Sequence, residues 1–334
     1  MIKSTLLFSL LLIFLSGCSH TISIRAIEPA EVDRVAATKK ISVTPFKNDR
    51  VGLSTKIEAI LANHKLEGKR YFTIVSRNDF NKIIKEQKVQ NSGLLDENDA
   101  VEVGQLLGAD AIISGDMHRP SSHDTHFYES RTKCVDKKCK QLYRYKVRCS
   151  KRVVGLSGEV RVVDVVHGDI IYAQTLSRTD TYEHCSDDSR VIPSQSIASQ
   201  RIASALANQF TYKLLPHYKN FEVELLDEPD LDYSDEQEEL LEIALEYIEQ
   251  KRYNRAQELL FQLIDSTKEQ SYVAFYNLGV LKEAEGNYKE AQEYYTKADS
   301  LMKKPVEAIN RAYLRINSLI EKRQRLSRQI NTKS

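Results

Sequence analysis

Beyond its first residues, the sequence has no apolar run long enough to cross a membrane as a helix, and it has no recognisable catalytic motif. The glycines of "GQLLGADAIISGD" follow a helical pattern and precede a strand pattern, which is the reverse of a phosphate-binding loop. No Ser, His and Asp stand in a triad context, and paired carboxylates are abundant only in the polar stretch between 222 and 246, which lacks an apolar setting to shift their pKa values. We therefore predict a non-enzymatic protein without a cofactor.

The first residues have the proportions of a secretion signal. Lys3 precedes a short apolar run, and this run ends in "LSGC", whose cysteine is Cys18. The box resembles that of bacterial lipoproteins, in which the preceding residues are removed and the cysteine carries lipid such as palmitate. We expect a signal peptide over 1–17 and a lipidated tether over 18–38. Ser19, rather than Asp, after the cysteine is typical of the outer membrane, so we expect the periplasmic side of that membrane.

Composition fits a soluble globular protein of two domains, with 334 residues, 28% charged and 41% hydrophobic. The net charge of +1 hides a strong segregation. Residues 118–155 hold eleven Lys or Arg against three acids, whereas residues 220–250 are rich in acids and hold no Lys or Arg. The two segments therefore differ in the partners that they favour.

An α+β domain is predicted over 39–218. Strand patterns such as "KKISVTPF", "RYFTIVS" and "DAIISGD" alternate with helical patterns. A helix "FNKIIKEQK" is expected to be capped by Asn78 or Asp79, and a hairpin turn is expected at His167-Gly168. The last helix of the domain covers 193–215 and is expected to direct four apolar side chains inward: Ile197, Ile202, Leu206 and Phe210.

An acidic linker over 219–234 is expected to lead into an all-helical domain over 235–334. There "KRYNRAQELL" recurs 35 residues later as "GNYKEAQEYY". The second copy resembles the tetratricopeptide repeat (TPR), and the resemblance implies paired antiparallel helices closed by a capping helix. It also implies a partner-binding face, for which the candidates are Tyr247, Phe275, Tyr276 and Asn277. Packing in the core is the alternative role of each of these residues.

The α+β segment carries a second resemblance. "FTIVSRNDFNKIIKEQKVQNSGLLDENDAVEVGQLLGADAIISGDM", followed by "LSGEVRVVDVVHGDIIYAQ", is similar to the CsgG family of outer-membrane lipoproteins, which shares its core with TolB N-terminal and LpoB-type domains. The resemblance covers about 39–216. It implies an envelope protein that serves as a binding and assembly component. The alternatives are an oligomeric secretion pore and a regulator of a periplasmic cell-wall enzyme.

The family's pore-forming member inserts hairpins in the membrane, so the corresponding strand "QLYRYKVRCSKRVV" is informative. Tyr143, Tyr145 and Val147 alternate with basic residues. With a turn at Asp136-Lys137, the partner strand would present polar residues beside those tyrosines, which a membrane-spanning hairpin would not tolerate. This hairpin is therefore expected to stay in water. The partner residues concerned are Asp124, His126, Tyr128 and Ser130.

The four remaining cysteines are expected to form two disulfides in an oxidising compartment. About the turn at Asp136-Lys137, Cys134 faces Cys139; about the turn at His167-Gly168, Cys149 faces Cys185 to within one residue. Zinc is the alternative, but the gap between Cys139 and Cys149 fits no common zinc motif, so no metal is predicted.

The basic hairpin has two open interpretations. A periplasmic location excludes nucleic acid as its usual ligand, and leaves an anionic surface such as lipopolysaccharide, inner-leaflet phospholipid or an acidic protein. A solvated strand face is the other interpretation. The sequence does not identify the protein partner of the helical domain, and it leaves homo-oligomerisation open.

Overall fold

A computed structural model describes residues 20–75 and 97–331. The predicted helix over 80–88, the Ser76-Arg77 pair and Cys18 lie outside the described residues. The described chain divides into two compact units. The first comprises residues up to Ala26 together with Tyr218–Lys322, and the second comprises Ile27–His217 together with the residues from Arg323 onward.

The second unit is built on a mixed sheet. Its strands are β2 (Lys40–Val43), β5 (Thr73–Ile74), β6 (Ala111–Met117), β7 (Ser121–Cys134), β8 (Leu142–Asp164) and β9 (Ile170–Cys185). The order is β5-β2-β6-β8-β7, with β9 also paired to β8. The β2 strand runs parallel to β5 and β6, whereas every pairing of β8 is antiparallel. A short antiparallel pair, β3 (Lys65–Leu66) and β4 (Lys69–Arg70), precedes β5.

Helices cover both faces of this sheet. Two of them, α2 (Leu53–Asn63) and α4 (Gln195–Leu214), share one core with Ile41, Val43 and Ile113. The helix α3 (Glu97–Leu107) packs on the other face against Ile112 and Val163. Because side chains alternate along a strand, Ile112 and Ile113 supply opposite layers, and this explains why "DAIISGD" is apolar throughout. A mixed α/β fold is therefore confirmed.

The amphipathic helix α4 differs from its prediction in one residue. Ile202, Leu206 and Phe210 are fully buried as expected, but Ile197 is 50% exposed. Ile197 lies in the first turn, where its backbone N–H donates to the capping Ser194 hydroxyl. Its position is set by the cap, so the apolar pattern begins one turn later than predicted.

The second unit also contains the end of the chain. The last helix, α9 (Glu307–Asn331), contributes its residues from Arg323 onward to this unit. Gln329 is buried and exchanges two hydrogen bonds with the backbone of Ala30, at 3.1 and 3.0 Å. Arg325 donates to Asp33 at 2.8 Å. The predicted helical domain over 235–334 is therefore wrong at its C-terminal end, because residues 323–331 pack with the α+β unit.

The Asp33 carboxylate lies in the short helix α1 (Asp33–Ala37). Partial burial tends to raise the pKa of Asp33, but hydrogen bonds from Arg325 and Gln329 outweigh it, and the pKa lies below its usual range. A carboxylate with a lowered pKa stabilises the folded state above its unfolded pKa, and this contribution is lost as the pH falls through the folded value.

The first unit is largely helical. It contains α5 (Asp235–Glu249), α6 (Tyr253–Ser266), α7 (Tyr272–Ala284), α8 (Tyr288–Leu301) and the first part of α9. A two-stranded sheet joins β1 (Thr21–Glu28) to β10 (His217–Glu224). The helices begin with clear signals, since Ser234 and Gln237 form a capping box before α5 and Ser271 caps α7.

The sheet of β1 and β10 shows that two predictions, the tether over 18–38 and the linker over 219–234, are wrong in part. Residues 21–28 form a strand rather than a tether, and Ile22, Ile24 and Ala26 alternate with exposed residues as a half-buried strand requires. The acidic linker likewise begins as strand β10, whose Val223 is buried. The apolar alternation in "TISIRA" is the signal that sequence reasoning missed.

Close helix packing and a buried ion pair define the core of the first unit. Gly279 lies against the Tyr295 ring, where a Cβ atom would come within 2.6 Å of Cε1. The fully buried Glu283 carboxylate accepts hydrogen bonds from Arg315 Nε at 2.6 Å and from the Tyr295 hydroxyl at 2.6 Å. Burial, together with the neighbouring Glu283 charge, raises the pKa of Tyr295 well above its usual value.

Arg315→Met should destabilise the chain by about 3–5 kcal/mol, because it leaves the buried Glu283 charge without its cation. Urea denaturation followed by circular dichroism measures the effect. Arg311→Met on the same helix is the matched control, since Arg311 is 56% exposed and its ion pairs with Glu224 and Glu307 are also exposed. It should cost less than about 1 kcal/mol. Equal losses for the two variants would contradict the role of the buried pair.

Candidate functional site

The first candidate surface is the hairpin of β7 and β8. Fourteen residue pairs join the two strands, from Ser121 opposite Gly155 to Cys134 opposite Leu142. The third strand, β9, ends at Cys185 opposite Cys149. Beyond that point β7 and β8 continue as a two-stranded ribbon that comprises residues 128–148, which we call the ribbon. Its tip is the loop 135–141.

Both predicted disulfides are present in the structure. Cys149 and Cys185 are directly opposed, with Cα atoms 4.0 Å apart. Cys134 and Cys139 have Cα atoms 4.8 Å apart. The second turn agrees with its prediction, since Gly168 has a positive φ of 73° between β8 and β9. The disulfide Cys149–Cys185 is buried beside Val147.

The predicted turn at Asp136-Lys137 is wrong. Cys134 ends the ladder opposite Leu142, and Cys139 lies within the loop with a positive φ of 57°. The Asp136 side chain organises this loop by accepting hydrogen bonds from the backbone of Lys138 and Lys140. An Asx-type turn of this kind lengthens the loop beyond a two-residue connection, so the ladder begins later than the cysteine spacing suggests.

This shift exchanges the two faces of β7. An odd displacement of register moves every side chain of a strand to the other face. The aromatic face of β8, which contains Tyr143 and Tyr145, is therefore paired with Lys133 and Arg131. The residues expected on that face lie instead beside the basic face of β8. They are Asp124, His126, Tyr128 and Ser130.

The polar groups near the base of the hairpin are paired with one another. Arg152 donates to the Asp124 carboxylate at 2.7 Å, and this hydrogen bond holds the pKa of Asp124 below its usual range. His126 Nδ1 lies 2.9 Å from the Ser150 hydroxyl. His118 Nδ1 lies 3.0 Å from the Ser157 hydroxyl. Each of these two histidines therefore has a serine hydroxyl as its neighbour.

Among the described residues, two groups of side chains place their ligand atoms within 4.8 Å of one another, close enough to hold a metal ion. In each group other contacts account for this closeness. In the first, Glu129 is near Cys149 and Cys185, which form a disulfide. In the second, Asp164 and Asp169 hold the Arg34 guanidinium. Burial tends to raise the pKa of Asp164, but hydrogen bonds from His167 and Arg34 lower it below its usual value. This cluster joins α1 to the turn after β8.

The second candidate surface is the face of α7 that carries Tyr276 and Asn277. Both side chains are buried, and the chain itself occupies this face. Asn277 accepts a hydrogen bond from Leu226 N at 2.9 Å and donates to Leu226 O at 2.7 Å. The Tyr276 hydroxyl donates to Glu224 O at 2.8 Å, and burial raises the pKa of Tyr276 to about 12.

The same segment then reaches the start of α7. The Asp230 carboxylate accepts hydrogen bonds from Tyr272 N and from the Ser271 hydroxyl, so that it completes the N-terminal cap. Residues 224–230 therefore run antiparallel to α7, and we call them the inner segment. The prediction that Tyr276 and Asn277 are open to a partner is wrong for this conformation, because these side chains hold the inner segment.

The other two candidate residues are less enclosed. Phe275 is 7% exposed, with the Lys297 ammonium 5.6 Å from its ring centroid. Tyr247 is half-buried, with the Arg252 guanidinium 4.6 Å from its ring centroid. Tyr247 is the most exposed of the four. Between the start of α5 and the inner segment the chain forms a cavity of about 410 Å³, and half of its lining residues are acidic. The lining residues are His20, Asp227, Glu228, Pro229, Glu238, Leu241, Glu242 and Leu245.

The fold defines a class of protein: a mixed α/β unit with a projecting disulfide-linked hairpin, joined to a unit of paired helices. Residues 19–119 match the family described as curli production assembly/transport component CsgG, so the chain carries a CsgG-type domain. The match begins before residue 39, where the domain was expected to start, and it ends before the hairpins. Residues 242–323 match a domain of unknown function, DUF6340.

The chain is similar to a solved lipoprotein, GNA1162 from Neisseria meningitidis. The identity is 15%, over 52% of this chain and 98% of that chain, with a TM-score of 0.26. No match is found among curated proteins. Within the part of the chain that the structure describes, no helix combines the length and the apolar character that a membrane span requires. The tetratricopeptide nature of the helical unit stays a prediction.

Peptide mapping without reduction should recover Cys134 linked to Cys139 and Cys149 linked to Cys185. By loop entropy, the double variant Cys149→Ser/Cys185→Ser should lose about 4 kcal/mol of stability, and Cys134→Ser/Cys139→Ser about 2 kcal/mol. Urea denaturation measures both values, and the second variant is the matched control for the first. A peptide that links Cys134 to Cys149 would contradict this pairing.

Asn277→Ala should destabilise the helical unit by about 1–3 kcal/mol, because it removes the partner of the N–H and C=O of the half-buried Leu226. Hydrogen exchange should show faster exchange at Leu226. The control is Asn287→Ala, whose exposed side chain makes one long contact, 3.4 Å, with Glu285. Protection at Leu226 that is unchanged in Asn277→Ala would refute the role of Asn277.

Proposed function

We propose that the protein is a non-catalytic envelope lipoprotein that acts as a binding and assembly component. Lipid on Cys18 holds it at the outer membrane, on the periplasmic side. The observation that carries the proposal is that the CsgG match begins at residue 19, directly after the lipobox cysteine. A folded domain of a family described by assembly and transport thus follows the anchor without a tether.

The distance from the anchor supports close apposition to the membrane. Strand β1 begins at Thr21, three residues after Cys18. An extended chain spans at most about 3.6 Å per residue, so β1 starts within about 11 Å of the lipidated residue. The unit that contains β1 therefore stays near the bilayer. The two disulfides support an oxidising compartment such as the periplasm, since such bonds are rare in the cytosol.

The helical unit supports protein binding. Asn277 hydrogen-bonds both the N–H and the C=O of Leu226. This contact involves only the backbone, so it does not depend on which side chain stands at position 226. Because the inner segment occupies Asn277 and Tyr276, a partner would be held by contacts of the same kind at another part of the helical unit. Of the four candidate residues only Tyr247 is half-buried rather than buried, so it is the one that keeps part of its ring accessible to a partner. We propose an extended protein segment as the partner class.

Envelope crosslinking followed by affinity capture tests this function. It should recover a defined protein crosslinked to the helical unit in a wild-type chain, and the yield should fall when Tyr247 is changed to Ser. Recovery of no specific protein would overturn the binding role. Rings of many subunits in negative-stain images of detergent-extracted protein would overturn it in favour of a secretion pore. Capture of a cell-wall synthase alone would favour the regulator.

Cys18→Ser should abolish labelling by palmitate and release the chain from sedimented membranes, because the anchor is its lipid. Ser19→Asp is the matched variant. It should keep the label but move to inner-membrane fractions, since Asp after the cysteine is the retention signal. Density-gradient fractionation with palmitate labelling measures both outcomes. A labelled Cys18→Ser chain in the membrane pellet would contradict the lipobox assignment.

A further inference from the structure

The ribbon presents its charges on one face. Arg144, Lys146 and Arg148 lie on the same side of β8 because alternate residues of a strand share a face. The register pairs them with Thr132, Ser130 and Tyr128, so that this face contains no acid. We call it the cationic face.

The acids of the ribbon do not neutralise this face. Residues 128–148 contain eight Lys or Arg and only two acids. Glu129 lies on the opposite face and pairs with Arg131 at 2.9 Å, while Asp136 accepts the backbone hydrogen bonds of the loop. Within the described part of the chain, no ion pair involves the cationic face or the loop lysines, which are Lys137, Lys138 and Lys140. Six cations on the ribbon therefore face solvent.

The cations of this row repel one another. Alternate residues of a strand are about 6.6–6.8 Å apart, which is shorter than the Debye length of about 8 Å at physiological salt. The repulsion between neighbouring cations is thus only partly screened. An array of anions on the face would remove this repulsion and release counterions.

The tip adds apolar groups to the same surface. Leu142 shares the cationic face and is 64% exposed, and Val135 beside it is 62% exposed. Tyr128 on the same face is 69% exposed. The disulfide Cys134–Cys139 and the Asp136 side chain fix the loop, so Val135 and Leu142 stay exposed next to the loop lysines. Tyr128 lies at the other end of the same face, opposite Arg148.

We propose that the cationic face and tip of the ribbon bind the surface of an anionic phospholipid bilayer. The loop lysines and the arginines contact headgroup phosphates, while Val135, Leu142 and Tyr128 enter the boundary between headgroups and acyl chains. An acidic protein would need the cations but not the exposed aliphatic tip, and this favours a membrane over such a partner. The proposal rests on the envelope location proposed above, which supplies the bilayer.

Vesicle binding tests the proposal without the lipid anchor. The chain from Ser19 to Ser334, which retains every described residue, is mixed with vesicles of phosphatidylcholine alone or with 30% phosphatidylglycerol. Co-sedimentation should show binding to the anionic vesicles only, and the binding should weaken as salt is raised. Because no protein partner is present, the result is separate from that of the crosslinking experiment.

Two variants of equal charge locate the site. Arg144→Gln/Lys146→Gln/Arg148→Gln should weaken binding about a hundredfold, since each cation near the surface contributes about 1 kcal/mol. Lys289→Gln/Lys303→Gln/Lys304→Gln removes three exposed cations from the helical unit and should leave binding within about twofold. Disulfide mapping and circular dichroism verify that both variants fold. Equal weakening by the two variants would overturn the assignment to the ribbon.

A third variant isolates the apolar tip. Val135→Ser/Leu142→Ser keeps every charge and should weaken vesicle binding several-fold, because the burial of two aliphatic side chains is lost. Polyglutamate and lipopolysaccharide micelles are the competing ligands. Tighter binding to either than to phosphatidylglycerol vesicles, with no effect of the tip variant, would overturn the choice of a phospholipid surface. Failure of the wild-type chain to bind anionic vesicles at low salt would overturn the whole proposal.

Discussion

The pairing of the long strand β8 is the constraint on which the α+β unit depends. Its 23 residues pair with β6, β7 and β9, so one strand sets the register of both hairpins and ties them to the parallel core. The opposition of Cys149 and Cys185 follows from that register and locks it covalently. Where β9 ends, β8 and β7 continue without a third strand, and the ribbon therefore exposes both of its faces.

A second constraint shapes the helical unit, namely that buried backbone groups need partners. The inner segment runs antiparallel to α7 without a strand partner beyond Glu224, so the N–H and C=O of the half-buried Leu226 need other partners. Asn277 and Tyr276 supply the missing partners. A helical surface that accepts one extended segment in this manner is chemically suited to accept another, and this links the packing of the unit to the binding role that we propose.

Patterns that depend on neighbours in sequence were predicted well. The apolar run of β6, most of the helix α4, the turn at Gly168 and the pairing of Cys149 with Cys185 follow from local periodicity and spacing. The disulfide Cys134–Cys139 is also present, but the turn from which it was predicted is not. The errors concern longer-range decisions. Residues 21–28 alternate in polarity as a strand does, but their partner lies nearly 200 residues away in β10, so they were expected to form a tether. The loop of the ribbon was predicted too short because Asp136 organises it through backbone hydrogen bonds.

The sequence by itself determined the lipobox, the segregation of charge and the alternation of cations along β8, because each of these properties belongs to a contiguous stretch of chain. The tertiary structure decided which residues oppose that row, and hence that its face contains no acid. It also decided that Tyr276 and Asn277 hold the inner segment and that residues 323–331 pack with the α+β unit. The physical reason is that register and burial depend on partners distant in sequence, and a shift of one residue exchanges the two faces of a strand.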